Sequence, residues 1–316
     1  MEIIKEQIPI RDGYGKGLVA LGEKDERIVV LCADLTESTR SHWFAEKFPH
    51  RFFEVGVAEQ NLAVIASGMA ASGKIPFISS YATFSPGRNN EQIRTNICIN
   101  NVPVKIAGAH AGISVGPDGA THQALEDIAL MRVLPRMVVV VPCDAIEAEK
   151  ATIAIASNGQ PSYLRLGREK SPVLTTAETP FEIGKAITLR EGGDVAIIAC
   201  GVMVHEALRA ADALETEGIQ CTVLNNHTIK PMDNVAVLAA AKRCGAIVTA
   251  EEHQIAGGMG SAVAELLARE LPVPIEFVGI RDRFGESGTP AELMKAFGLT
   301  AESIVSAVKR VISRKK

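Results

Sequence analysis

Aromatic residues are scarce: they make up 4% of the 316 residues, with a single Trp, so Ala, Val, Ile and Leu carry the apolar mass. That bias disfavours an all-β sandwich and suits parallel sheets buried on both faces. No apolar run approaches the roughly 20 residues that span a bilayer, so no membrane segment is expected. Neither sign of charge is in excess. The 33 basic and 37 acidic residues leave a formal charge of −4, which offers no electrostatic footprint for nucleic acid. The opening MEIIKEQIPIRDGYG has no apolar core behind a basic start and does not read as a secretory signal. Cysteine pairs are missing too. Cys32, Cys98, Cys143, Cys200, Cys221 and Cys244 form no C-x-x-C, and most sit in or beside apolar runs as small reduced hydrophobes. A cytoplasmic protein is expected.

What remains is ordinary globular composition, 47% hydrophobic and 22% charged, which excludes disorder as the dominant state. The length suggests two domains at roughly 100–200 residues each. Short apolar runs alternate with helical patterns throughout, without internal repeats. Strands are expected at Arg27–Leu35, Lys74–Ser80, Val102–Gly108, Met137–Pro142 and Ser162–Gly167. Helices are expected at Gly13–Leu21, Ala58–Ser72, Asn89–Ile99, Thr121–Leu134 and Asp144–Asn158. This is the βαβ signature of a doubly wound parallel sheet, with ligands beyond the carboxyl ends of the strands. The rhythm breaks over Arg168–Gly184, which reads as a linker. It resumes with strands at Val195–Gly201, Cys221–Asn225, Ala246–Ala250 and Pro274–Gly279. Helices follow at Met203–Glu217, Asn234–Arg243, Gly258–Arg269, Pro290–Phe297 and Thr300–Arg314, with Asp233 and Thr300 as caps. The expected organisation is residues 1–170, a linker over 171–184, and residues 185–316, each domain a three-layer α/β/α fold.

Nucleotide motifs are absent. Gly257-Gly258-Met259-Gly260 fails the G-x-G-x-x-G spacing at Val263 and reads instead as a helix start needing close approach. Gly13-Tyr14-Gly15-Lys16-Gly17 lacks Walker spacing. Three other segments carry chemistry. Glu59 stands almost alone in the apolar stretch Glu54–Ala70, where a strand-like run turns into a helix. It is either a carboxylate near a helix N-terminus or a desolvated carboxyl poised to exchange a proton with a ligand. Ala109–Gln123 clusters His110, Asp118 and His122 among glycines at a strand end. The two histidines lack the spacing of a preorganised metal pair, and no Cys joins them. Hydroxyl recognition or proton transfer suits them better, with a helix-start role for His122 as the bland alternative. In Tyr81–Arg88, Tyr81 and Phe84 are either core packing or a stacking surface for a heteroaromatic ligand.

Taken in order, these segments resemble the pyrimidine-binding domain of transketolase-type thiamine diphosphate enzymes. The resemblance runs through Ala33-Asp34-Leu35-Thr36-Glu37-Ser38, Gly56–Asn61, Tyr81–Phe84, Gly116–Gln123 and Arg165–Arg168. It continues through Asn226–Pro231, Glu251-Glu252-His253, Gly257–Val263 and Phe284–Gly288, which are similar to the family's C-terminal domain. It implies roles. Glu59 matches the glutamate that hydrogen-bonds the cofactor's pyrimidine nitrogen and so promotes loss of the thiazolium proton. Phe84, with Tyr81 beside it, matches the ring stacked on the aminopyrimidine, and Asp34 and Leu35 a segment close to the cofactor. His110, Asp118 and His122 match residues that meet the hydroxyls and carbonyl of a ketose. Arg11, Ser38 and Arg168 match a sugar-phosphate site, where Arg gives charge-assisted bonds.

Departures from the family pattern matter equally. Where transketolases usually carry His-Asp-Ser and Gly-Pro-Thr-His, this chain has His110-Ala111-Gly112 and Gly119-Ala120-Thr121-His122. The Gly-Asp-Gly that fixes Mg²⁺ and the diphosphate is missing; Gly192-Gly193-Asp194-Val195 and Pro117-Asp118-Gly119 both fail. The resemblance therefore implies the C-terminal subunit of a split transketolase, completed by an N-terminal subunit that binds Mg²⁺ and the diphosphate, with α2β2 the natural assembly. The alternatives are a 2-oxo acid dehydrogenase beta subunit, a deoxyxylulose-phosphate synthase fragment, and a non-catalytic scaffold of the same fold. The first normally carries His-Ser-Gln where this chain has Thr121-His122-Gln123, and it has no need of Arg168.

Overall fold

The structure is a computed structural model that describes residues 4–315. The first domain contains β1 (Ile4–Pro9), α1 (Ile10–Lys24), β2 (Ile28–Cys32), α2 (His42–Lys47), β3 (Phe52–Glu54), α3 (Glu59–Ala71), β4 (Ile75–Tyr81), α4 (Asn90–Gln92) continued as a π-helix over Ile93–Ile99, β5 (Lys105–Ala109), α5 (Asp127–Arg132), β6 (Val138–Val140), α6 (Ala145–Ser157), β7 (Ser162–Arg165) and β8 (Lys170–Val173). The second contains β9 (Ile187–Arg190), β10 (Val195–Ala199), α7 (Met203–Glu215), β11 (Cys221–Asn225), β12 (Thr228–Lys230), α8 (Asn234–Cys244), β13 (Ile247–Gln254), α9 (Met259–Glu270), β14 (Ile275–Ile280), α10 (Pro290–Ala296) and α11 (Ala301–Ile312).

Both domains are three-layered. The first sheet has the order β12-β6-β7-β5-β4-β2-β3, parallel except for β12 at its edge. The second has the order β14-β13-β10-β11-β9, with only β9 antiparallel. Strands β2, β5, β10 and β11 are buried along their whole length, as two-sided coverage requires. Helices α1 and α6 cover one face of the first sheet around Tyr14, Leu18 and Ala148. On the other face a continuous apolar core runs from Leu62, Ile93 and Met131 into Ile198, Val237 and Val263 of the second domain. The two domains therefore share one core rather than meeting across a seam. The six cysteines are buried and free.

Several sequence expectations need correction. Thr121–Leu134 is helical only over Asp127–Arg132, because residues 121–126 run as a loop bridged through Ala111 and Ala124. The expected linker begins as β8, paired antiparallel with β1, a strand with no sequence signal of its own. β12 leaves the second domain to extend the first sheet beside β6. The glycines at 257–260 form a helix start as read: Met259 and Gly260 donate their backbone N–H groups to Glu251, and a Cβ at Gly258 would lie 2.2 Å from its Oε2. Asp233 and Thr300 cap their helices as expected.

Asp144 does more than cap α6. Its carboxylate accepts the Glu147 N–H at 2.8 Å, the Leu174 N–H at 2.7 Å, the Thr175 N–H at 2.6 Å and the Thr175 hydroxyl at 2.9 Å. It thereby pins the segment after β8 to the helix start. Replacing a buried acceptor strands each donor it served, at about 1–3 kcal/mol apiece. In urea unfolding, Asp144→Ala is expected to cost at least about 3 kcal/mol, against about 1 kcal/mol for Thr300→Ala, which removes a simple cap.

Candidate active site

Sheet register brings the candidate residues together. Tyr81 ends β4 opposite Ala109, the last residue of β5, so His110 follows at the same level. The Tyr81 and His110 rings stack with centroids 3.9 Å apart. Phe84 lies 6.0 Å from Tyr81 in a near-parallel arrangement, and His122 meets the Phe84 ring edge-on at 5.3 Å. Four rings thus line the carboxyl edge of the sheet.

Glu59 opens α3 beside them. It is 1% exposed, and Arg88 Nη1 donates to its Oε2 at 2.7 Å. The Arg88 guanidinium also lies 4.8 Å over the Phe84 ring. Asn89 Nδ2 donates to the Glu59 carbonyl at 2.9 Å, fixing the helix start to the Tyr81–Arg88 turn. On that turn Thr83 Oγ1 and Asn89 Oδ1 are buried with no hydrogen-bond partner among the described residues. A buried carboxyl, flat ring faces and unused polar atoms are the groups a polar heteroaromatic ligand would engage.

Cations gather at the opposite side of His110. Arg11 Nη1 donates to the Ser38 carbonyl at 2.9 Å and to His110 Nε2 at 3.1 Å. Because a guanidinium only donates, Nε2 is the acceptor and the ring proton belongs on Nδ1. Burial, and then the charges of Arg11, Arg168 and Arg40, push the His110 imidazole down to about 2. Burial and the neighbouring Arg40 likewise lower Arg11. Arg168 reaches the loop from the other side, donating to the Val115 carbonyl at 2.6 Å. Arg40, in a left-handed turn at φ 68°, is held by Asp12 at 2.6 Å. Like charges crowded on one imidazole oppose folding, so the arrangement suits an anion. Arg11 Nε and His110 Nδ1 are both buried without a partner among the described residues.

Glu59, Tyr81, Phe84, His110, His122, Arg11 and Arg168 therefore converge. Ser38 joins them through its backbone carbonyl rather than its hydroxyl. Asp34 and Leu35 lie on the turn before Ser38. Asp34 is exposed at φ 58°, with its N–H donating to Glu54 Oε1 at 2.7 Å. Asp118 is exposed on its loop, and among the described residues no hydrogen bond ties it to the cluster. His122 lies in the loop ahead of α5, not at a helix start, with Nδ1 against Thr121 Oγ1 at 2.9 Å. Sequence reading missed Arg88 and Arg40. Arg88 was foreseeable, four residues beyond Phe84; Arg40 has no sequence signal. Among the described residues no group of three or more His, Cys, Asp or Glu side chains is arranged to hold a metal, and no helix is long and apolar enough to cross a membrane.

Known proteins similar to this chain identify the family. Residues 6–173 match the transketolase pyrimidine-binding domain, and residues 184–304 the transketolase C-terminal domain. Over 314 residues the chain is 43% identical to the 6-deoxy-6-sulfo-D-fructose transketolase subunit SqwH of Clostridium sp. (strain MSTE9), covering 99% of this chain and 98% of that protein. It is 44% identical, over 97% of this chain and 96% of the relative, to a protein of Methanocaldococcus jannaschii provisionally named a transketolase C-terminal section. A solved split-gene transketolase, described as an inactive β4 tetramer, superposes with a TM-score of 0.92 at 47% identity, covering 98% of this chain and all of that one.

The depressed His110 has a measurable signature. Unfolded, the ring titrates near 6.5, whereas folded it stays neutral down to about 2. The unfolded state binds the extra proton between those values, so His110 weakens the fold as pH falls below about 6.5. The slope is about 1.4 kcal/mol per pH unit. Against His110→Asn, the wild-type chain is expected to lose relative stability at that rate from pH 6 to pH 4. A pH-independent difference in unfolding free energy would show that the ring is not held neutral.

Proposed function

The chain belongs to the transketolase family, and on that premise we propose that it is the C-terminal subunit of a split, thiamine-diphosphate-dependent transketolase, moving a two-carbon ketol unit between sugar phosphates. The observation that carries this reading is Glu59, a carboxyl 1% exposed at the start of α3, beside the Tyr81–Phe84 ring faces and a cation-rich end around His110. A heteroaromatic cofactor at one end and an anionic sugar at the other would use both halves.

Phe84 and Tyr81 would offer their faces to the aminopyrimidine, with Asp34 and Leu35 alongside. Glu59 would hold the hydrogen bond to its ring nitrogen, and Arg88 would keep that carboxylate in place. Thiamine diphosphate, when bound, supplies the carbon nucleophile that ketol transfer needs. Arg11, Ser38 and Arg168 would hold the sugar's anionic tail, with Asp118 and His122 toward its hydroxyls and carbonyl. His110, being neutral across the physiological range, would work as a hydrogen-bonding group rather than a source of charge. The shell of rings would exclude water from the reacting end.

The other half of the cofactor needs another chain. We assign Mg²⁺ and the diphosphate to an N-terminal partner subunit, since the Gly-Asp-Gly by which the family holds them does not occur in this sequence. Val57 and Val64 flank Glu59 at 70% and 44% exposure, an apolar approach on which such a partner could seat. The similar split-gene protein, inactive as a β4 tetramer, supports both self-association and this need. The assembly we infer is α2β2, in the cytoplasm.

The test reconstitutes this chain with a partner carrying Gly-Asp-Gly and follows ketol transfer. Alone, with thiamine diphosphate and Mg²⁺, the chain is expected to be inert. In the pair, Glu59→Ala should lower kcat by about 10²-fold or more. Full activity of the isolated chain, or unchanged turnover in the variant, would overturn the reading. Oxidative decarboxylation of a 2-oxo acid by the pair, in place of ketol transfer, would favour the dehydrogenase alternative.

A further inference from the structure

Glu252 lies on β13 in the second domain, yet its side chain is directed at the first. It is 4% exposed, and its Oε1 accepts the Ser114 N–H at 2.5 Å. Ser114 belongs to the loop that begins at His110 and continues through Val115, whose carbonyl receives Arg168. The loop has a built-in pivot at each end: Gly112 at φ 93° and Gly116 at φ 86°, a conformation that costs glycine little. Gly112 also lies against Glu252 so closely that a Cβ there would fall 2.3 Å from the carboxyl carbon. Only a residue without a Cβ leaves room here for the carboxyl from the other domain.

Burying a carboxyl is costly unless it does something an apolar isostere cannot. Arg165, the nearby buried cation, donates to the Glu252 backbone carbonyl at 2.9 Å and spends its Nε on Asp127; its charge eases the burial of the Glu252 carboxyl, but among the described residues no hydrogen bond joins the two side chains. What the side chain holds is the loop. We propose that Glu252 is a positioning residue for the anion-binding end of the site: by fixing Ser114 between two glycine pivots it sets the placement of His110 and of the Val115 carbonyl that orients Arg168. The second domain thereby shapes substrate recognition without touching substrate. This rests on the anion-site reading proposed above.

The experiment uses the full-length chain with inorganic phosphate as the probe, measuring affinity by calorimetry and integrity by thermal unfolding. Arg168→Ala removes a cation that the reading places on the anion. Glu252→Gln keeps an acceptor for Ser114, Glu252→Leu removes it, and Gly112→Ala forces the same contact apart from the loop side. Phosphate affinity is expected to fall about tenfold or more in Glu252→Leu and Gly112→Ala, the equivalent of one well-placed charged hydrogen bond. It should stay within about threefold of wild type in Glu252→Gln, since rescue by an acceptor is what positioning requires. If Glu252→Leu does not unfold cooperatively, Gly112→Ala and Glu252→Gln carry the comparison. Wild-type affinity in folded Glu252→Leu or Gly112→Ala, with affinity lost in Arg168→Ala, would overturn the role of Glu252 alone. Unchanged affinity in Arg168→Ala, or no phosphate binding by the wild type, would overturn the anion site, and this proposal with it.

Discussion

The arrangement depends on one buried guanidinium. Arg165, at the end of β7, donates to both carboxylate oxygens of Asp127, to the Ala124 carbonyl and to the Glu252 carbonyl. Tyr163, two residues back on the same strand, gives its hydroxyl to the same Asp127 at 2.6 Å. Asp127 thus accepts three hydrogen bonds, and its partners hold it below the usual carboxylate range despite complete burial. A buried ion pair adds little net stability over apolar packing, but losing one partner leaves the other uncompensated, at about 3–5 kcal/mol. The pair is better understood as a geometric constraint. It locks β7, the start of α5, the 124 loop and the second domain's β13 into one relation, and the His110–Val115 loop hangs from that frame.

From that frame the site divides in two. The cation-rich end is built from several elements at once: Arg11 from α1, Arg40 from the turn before α2, His110 from the end of β5 and Arg168 beyond β7. Second-domain groups hold the segment ahead of α5, as Gln123 Nε2 reaches the Glu286 carbonyl at 2.9 Å and the Gln254 N–H reaches the Leu125 carbonyl at 2.8 Å. The Glu59 end is simpler. It rests on one helix start and the turn that Asn89 ties to it, with exposed valines beyond. One end gathers groups from several elements, the other from two.

Much of this was legible in the sequence, for a physical reason. Parallel strands buried in a sheet appear as largely apolar runs, so β2, β4, β5, β6, β7, β10, β11, β13 and β14 all announced themselves. The short edge strands did not. β1 and β8 pair with each other away from the main sheets, and β12 takes its place only where the first domain offers β6, far off in the sequence, as partner. The helix expected at Thr121 fails because Gln123 and Ala124 are consumed by tertiary contacts: Gln123 bonds three carbonyls and Ala124 accepts from Gly112 and Arg165. Site residues on strand ends were readable because register alone brings Tyr81 and His110 together. Arg40 was not, since its place is set by Asp12, 28 residues earlier. Nor was Glu252, whose partner Ser114 lies 138 residues away.

The charge balance that first argued against nucleic acid acquires a second meaning here. A chain at −4 overall repels anions at long range, yet it concentrates Arg11, Arg40 and Arg168 around one neutral imidazole. At physiological salt, exposed charges are screened beyond about 8 Å, so the net charge fades while a partly buried cluster keeps its field. An anion at close range then feels the cluster rather than the net charge. The cluster's self-repulsion is tolerated because the Asp127–Arg165 frame and the shared core hold it together. Positive charge confined to a braced, partly buried cluster, on a protein whose net charge is negative, favours anions that reach the cluster over anions in general.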